Sequence, residues 1–174
     1  AVRTGRAAKM RVERDDDMIM TGKRHDVLAR YEVGFDEQGM VQALDVMLAS
    51  RCGHSADLSA AINDRAMFHI DNGYYLPNVE VRSFRCRTNT VSNTAFRGFG
   101  GPQGMLVIER IMKEVAHYLG EEPLEVRRRN FYGVGGRDTT HYGMVVEDNV
   151  LPQLVDELVE SSQYYERQAA IQAF

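Results

Sequence analysis

From Asp26 to Phe35, the stretch DVLARYEVGF places Val27, Ala29, Tyr31, Val33 and Phe35 at alternate positions between mostly polar neighbours. That is the period of a strand with one buried face. A turn follows in DEQGMV, built on Gly39, and VQALDVMLAS reads as the returning strand of an antiparallel hairpin. Upstream, AAKMRVER reads as a short strand-like run that ends at the acidic cluster Asp15–Asp17. After the hairpin the period changes. In DLSAAINDRAMFHI, Ile62, Ala66 and Ile70 recur at helical spacing, and Ser59 stands where an N-cap is expected. Alternation returns in VEVRSFRCRTNTV, a predicted third strand that leads directly toward SNTAFRGFGGPQGM.

The second half is helical in pattern. Pro102 sits where a first helical turn tolerates proline, and Met105, Ile108, Met112, Val115, Ala116 and Leu119 mark one face of the helix it opens. Gly120 ends that helix and Pro123 starts another, with Glu121 and Glu122 at its entrance and Arg127–Arg129 toward its exit. This charge order complements the helix dipole. The glycine-rich loop GVGGRDTTHYG precedes a last helix from about Leu151. Repeats and low-complexity tracts are absent. The fold class is therefore α+β, with antiparallel strands in the first half and helices mainly in the second.

Composition narrows the partners. The chain has 174 residues with 21 basic and 25 acidic side chains, a formal charge of −4. The length suits one compact domain or a piece of a larger one. An acidic balance gives no electrostatic reason to expect nucleic acid or an anionic membrane, and no run resembles a membrane span or a signal peptide. The basic run RRRNF at a helix end does not change this. Cys52 and Cys86 have no metal-ligand spacing and make no disulfide framework, which fits a reducing, cytoplasmic setting. The chain opens on AVRTGR without Met and stops at QAAIQAF inside a helical pattern. Residues 1–174 are thus expected to be a single stretch of a larger domain, cut at both ends.

The glycine-rich stretch carries the chemistry. Gly98, Gly100 and Gly101 present no Cβ atoms, so a ligand can approach the main-chain N–H groups. The helix opening near Pro102 aims its unpaired N–H groups and positive dipole end at the same place. Arg97 adds a cation with five donors, and Phe99 can offer a face to a planar group. The combination suits a ligand that is flat, polar-edged and partly anionic. Spacing alone leaves an equal alternative: a tight strand-to-helix connection with Phe99 tucked beneath the helix. No Gly-Lys-Ser/Thr follows, so this is not a P-loop, and the dinucleotide spacing is not met.

Other features read as structural. Asp15–Asp17 lacks the spaced ligands of a calcium loop and fits a helix entrance better. His25, His54, His69, His117 and His141 show no paired zinc spacing, although His69 falls close to Arg65. Ser92 and Thr94 precede the glycines and are placed to brace the turn.

The run SNTAFRGFGGPQGM closely resembles the molybdenum-cofactor domain of the xanthine dehydrogenase family of molybdenum hydroxylases. RDDDMIMTGKRH, LARYEVGFDEQG, DLSAAINDRAMFHIDNGYYLPNV and LEVRRRNFY also fall in that family's order, so the resemblance covers nearly the whole chain. It implies a middle segment of a larger molybdenum subunit, beginning just after another glycine-rich cofactor loop. Arg97, with Phe96 and Gly98 beside it, matches the position whose main chain meets the molybdenum–molybdopterin cofactor. Phe99 matches one of two phenylalanines that hold the substrate ring. Arg65 matches an arginine that contacts a polar edge of a purine and stabilises negative charge developing there. From residues alone, Arg65 would instead pair with an acid such as Asp64.

The resemblance further implies hydroxylation of a purine, hypoxanthine or xanthine, with oxygen derived from water. Aldehyde oxidases of the superfamily commonly lack the arginine at position 65, which tilts the expectation toward purines. The general base, the second stacking phenylalanine and a substrate-binding glutamate are expected beyond Phe174. Iron–sulfur clusters and FAD are expected on other domains or subunits. These residues alone should be inactive. Three alternatives remain open: an aldehyde oxidase-type hydroxylase, a non-catalytic module for a phosphate or similar ligand, and a structural interaction domain.

Overall fold

The computed structural model describes all of residues 1–174. Strand β1 (Val27–Phe35) and strand β2 (Val41–Gly53) form the expected antiparallel hairpin, in register from Val27 opposite Ser50 to Phe35 opposite Val41. The turn between them is fixed by its own residues. Gly39 takes φ 75°, and the Asp36 carboxylate accepts the N–H groups of Gln38 and Met40 at 3.0 and 2.9 Å. A side chain that mimics a backbone acceptor in this way locks a tight turn.

From β2 the chain enters helix α2 (Ser59–Phe68) and returns as strand β3 (Val79–Arg87) on the other side of β2. This strand was expected to be antiparallel. It pairs parallel, Leu44 opposite Val79 through Ser50 opposite Arg85. The helix between the two strands carries the chain back to the end where β2 began, so β3 must run in the same direction. Alternation reports which face is buried and says nothing about direction.

One face of the mixed sheet is covered by helices. Leu44, Val46 and Leu48 of the central strand are buried there, and Val27, Ala29, Val33, Val79 and Val81 pack around them. Helix α3 (Gly101–Leu119) supplies Ile108, Ile111, Met112, Val115 and Ala116, each no more than 2% exposed. Removing each large apolar side chain from water contributes about 1.5–3 kcal/mol, and this stripe is what holds α3 on the sheet. Helix α3 stops at Gly120 in the left-handed conformation, φ 69°. Helix α4 (Pro123–Asn130) then begins under Glu122, whose carboxylate accepts the N–H groups of Leu124 and Glu125. Helices α5 (Leu151–Ser161) and α6 (Tyr164–Ala173) replace the single last helix expected, with a break where Gln163 takes φ 53°.

Two local expectations are corrected. The run AAKMRVER is irregular up to Glu13 and pairs with no strand, whereas Asp15–Asp17 fill the first turn of a short exposed helix, α1 (Arg14–Met20), as a helix entrance should. Ser59 does not cap α2. Leu58 holds the cap position without a side-chain bond, and the Ser59 hydroxyl is committed to His25.

Candidate functional site

The glycine stretch is placed by contact between two helices. A Cβ on Gly100 would meet the Ile62 carbonyl oxygen at 1.9 Å, and one on Gly104 would meet the Ala66 oxygen at 2.2 Å. Only glycine allows the first turn of α3 to lie this close to α2. The chain enters that turn through three consecutive residues of positive φ: Gly98 at 92°, Phe99 at 50° and Gly100 at 97°. Glycine takes these angles freely, whereas Phe99 is held there at a cost of about 1–2 kcal/mol. Two short bonds close the turn, Phe99 N–H to Phe96 O at 2.8 Å and Gly101 N–H to Gly98 O at 3.0 Å.

That geometry brings Arg65 and Phe99 together. Arg65 lies on the exposed side of α2, and its guanidinium carbon stands 6.0 Å from the centroid of the Phe99 ring. This is the outer edge of a cation–π contact. The acid beside it, Asp64, is turned to Arg85 at 3.6 Å, and Arg65 makes no ion pair of its own. The structural alternative for Arg65 is therefore not what the side chain does. Phe99 is half-buried and stands outside the apolar core, so it is not a staple beneath the helix.

The remaining loop residues face outward. Arg97 is exposed and free of carboxylates, and no backbone carbonyl accepts the N–H of Phe96, Arg97 or Gly98. Unpaired donors on a bare backbone beside a cation suit an oxygen-rich anionic group. A molybdopterin phosphate has that character, so the donor set fits such a group. His69 also borders the turn, its ring about where a Cβ on Gly101 would meet it at 3.3 Å. No cluster of His, Cys, Asp and Glu able to hold a metal ion is present. Two depressions of about 520 and 470 Å³ lie on the outer face of the sheet and beside Cys52 and Arg87. Residues 96–100 line neither of them.

The structure adds three residues that the sequence did not single out. The segment 22–25 runs against 92–97 so closely that a Cβ on Gly22 would meet the Ser92 oxygen at 2.5 Å. The Lys23 oxygen accepts Thr94 N–H at 2.9 Å, and the Arg24 oxygen accepts the Asn93 side chain at 3.0 Å. The Arg24 guanidinium then stacks on Phe96 at 4.4 Å and donates through Nη2 to the Arg97 oxygen at 2.5 Å. Next to it, His25 is buried, shares a 2.7 Å bond between Nε2 and the Ser59 hydroxyl, and accepts Gln103 Nε2 at its carbonyl at 3.1 Å. Burial pushes the His25 pKa below the usual imidazole value, against the opposing pull of Asp26 and Asp57. Arg24 Nη1, His25 Nδ1 and Gln103 Oε1 are buried polar atoms without a protein partner. In the sequence these are an ordinary Arg-His pair and a helical glutamine. Nothing local marked them. The Ser92 hydroxyl does not brace the turn directly: it bonds Ser55, in the connection before α2, at 2.5 Å.

Comparison with known proteins identifies the family. The family model for the molybdopterin cofactor-binding domain matches residues 1–131. Mouse xanthine dehydrogenase/oxidase is 48% identical over 174 residues, all of this chain and 13% of that protein. Nicotinate hydroxylase of Emericella nidulans is 43% identical over 175 residues, again all of this chain and 13% of that protein. The solved structure of the aldehyde oxidoreductase of Desulfovibrio gigas superposes with a TM-score of 0.77 at 30% identity, over 86% of this chain and 16% of that one. The chain thus spans about 13% of the length of the curated relatives it matches.

Proposed function

Since the chain belongs to the molybdopterin cofactor-binding domain family, we propose that it forms part of the cofactor and substrate pocket of a xanthine dehydrogenase-like molybdenum hydroxylase acting on purines. The observation that carries the purine reading is the Arg65–Phe99 pair, a cation without a carboxylate partner beside an aromatic ring on the cofactor-facing turn. Relatives named for xanthine dehydrogenase and for nicotinate hydroxylation act on electron-poor nitrogen heterocycles, which is the chemistry such a pair would serve.

Each residue has a defined task. Phe99 holds a flat heterocycle by its face and leaves the ring edges free. Arg65 meets a polar edge and opposes the negative charge that grows on the ring as oxygen adds to carbon. Donors already aimed at such charge lower the barrier because they need no reorganisation. Phe96, Arg97 and Gly98 hold the cofactor through main-chain N–H groups, with the Arg97 cation beside them. When bound, the cofactor would supply the acceptor for the two electrons leaving the carbon, whose C–H becomes C–OH with oxygen from water as two protons are released. The general base, iron–sulfur clusters and FAD are assigned to parts of the protein outside residues 1–174. No helix here is long and apolar enough to cross a membrane, and Cys52 and Cys86 are free thiols. We place the working protein in the cytoplasm.

The direct test is turnover of hypoxanthine by the full-length protein in water enriched in oxygen-18. Label in the hydroxylated product, with two electrons passed to an acceptor per product, is the expected result. A molybdenum-loaded protein that oxidises aromatic aldehydes but no purine would overturn the purine assignment.

A further inference from the structure

We propose that Arg24 is a positioning residue that sets the direction of the cofactor-facing peptide between Arg97 and Gly98. The inference rests on the functional reading above and extends it to a residue argued to act through the turn itself.

The argument begins with the peptide plane. In a trans peptide the C=O and the N–H of the same unit point in opposite directions. Arg24 Nη2 donates to the Arg97 oxygen at 2.5 Å, and that oxygen shares its peptide with the Gly98 N–H. Pinning the oxygen toward Arg24 therefore turns the Gly98 N–H away from Arg24, out of the 22–25 segment. No backbone carbonyl takes that N–H, or those of Phe96 and Arg97 before it. A loop with three unpaired donors and successive left-handed residues has few internal bonds to fix it, and glycine at 98 leaves it freer still. Something outside the loop must choose one orientation.

Arg24 is built for that. Its guanidinium carbon lies 4.4 Å from the centroid of the Phe96 ring, so one planar group holds the side chain at position 96 and the carbonyl at position 97 together. The arginine is itself fixed: Asn93 donates to its carbonyl at 3.0 Å, and the neighbouring Lys23 oxygen accepts Thr94 N–H at 2.9 Å. Nη1 is buried without a protein partner and lies 3.9 Å from where a Cβ on Gly98 would stand. Arg24 thus reaches Phe96, Arg97 and the space beside Gly98 at once. A lysine cannot reproduce this, since an ammonium has no plane to stack while donating sideways.

The test uses full-length protein carrying Arg24→Ala or Arg24→Lys, with two readouts. The first is hydrogen exchange by mass spectrometry in metal-free protein, at the Phe99 and Gly101 amides that close the turn. Losing a hydrogen bond from a charged donor should raise their exchange about tenfold, a change of about 1.4 kcal/mol, while the α3 core amides stay protected. The second is molybdenum retained per protein after buffer exchange. Both variants should lose the metal faster than wild type at an unchanged melting temperature, and added guanidinium ion should slow the loss in Arg24→Ala. Wild-type exchange at Phe99 and Gly101 in both variants overturns the positioning role, as does full recovery by lysine, which would reduce Arg24 to a simple charge. If wild type itself retains no molybdenum, the functional reading fails instead, and the exchange result still decides whether Arg24 orients the turn.

Discussion

Gly100 and Ile62 are in such close approach that a Cβ on the glycine would stand 1.9 Å from the isoleucine carbonyl oxygen. This contact sets the distance between the helix that carries Arg65 and the turn that carries Phe99. Gly100→Ala must therefore push α2 and α3 apart and also place alanine at φ 97°. Overpacking costs about 1–3 kcal/mol and a left-handed alanine about 1–2 more. Urea unfolding should show a loss of about 2–5 kcal/mol, and Gly98→Ala, whose Cβ would clash with the Pro102 ring at 2.5 Å and with no backbone atom, should lose less. Equal losses would mean that the α2 contact is not what fixes position 100.

Phe99 offers a reversal of the usual ranking of alanine over glycine. Its φ of 50° is strained for any residue with a Cβ. Phe99→Ala removes the ring and keeps the strain, whereas Phe99→Gly removes both. The glycine variant should be more stable than the alanine variant by about 1 kcal/mol in denaturant titration. Both should turn over purines more slowly, because the lost stacking contact is worth about 0.5–1.5 kcal/mol beyond the area it buries. An alanine variant as stable as the glycine variant would show that the turn relaxes once the ring is gone.

The contrast between Phe99 and Arg24 shows what the sequence could carry. Periodicity placed the hairpin, α2 and the apolar face of α3 because those signals lie within a few residues of one another. The turn at 96–101 was legible for the same reason, since three glycines and a proline in a short run restrict the backbone locally. Arg65 was within reach only through resemblance, for nothing near it says that Asp64 will turn to Arg85. Arg24 meets Arg97 across 73 residues, and His25 meets Gln103 across 78. Such pairings exist only after the sheet and helices have assembled. The direction of β3 was hidden likewise, being decided by the path through α2.

His25 makes stability depend on pH in a predictable direction. Burial holds its folded-state pKa below that of an unfolded imidazole, about 6.5, so the unfolded chain takes up a proton first. Its contribution is fully present above the unfolded value and is lost as pH falls through about 6.5 toward the lower folded value. His25→Gln keeps a polar group for Ser59 but cannot titrate. Urea midpoints measured from pH 7.5 to 5 should fall less steeply for the variant than for wild type. Parallel slopes would assign the acid sensitivity to other groups.

Arg65→Met separates a catalytic arginine from one that only binds. If Arg65 opposes charge that appears on the purine as oxygen adds, its contact is stronger in the transition state than with bound substrate. Loss of such a contact lowers kcat and kcat/KM together and leaves KM little changed. Removing one preorganised donor of this kind costs about 2.7–4 kcal/mol, or about 10²–10³ in kcat. An aromatic aldehyde has no purine edge to present to position 65 and should lose far less. Stability should hardly move, because Arg65 is exposed and makes no ion pair. The measurement is steady-state kinetics of the full-length protein on a purine and an aromatic aldehyde, with molybdenum content matched between wild type and variant. A large kcat loss confined to the purine is the expected outcome. Equal losses on both substrates, or a rise in KM alone, would return Arg65 to a role in binding or in holding the turn through Phe99.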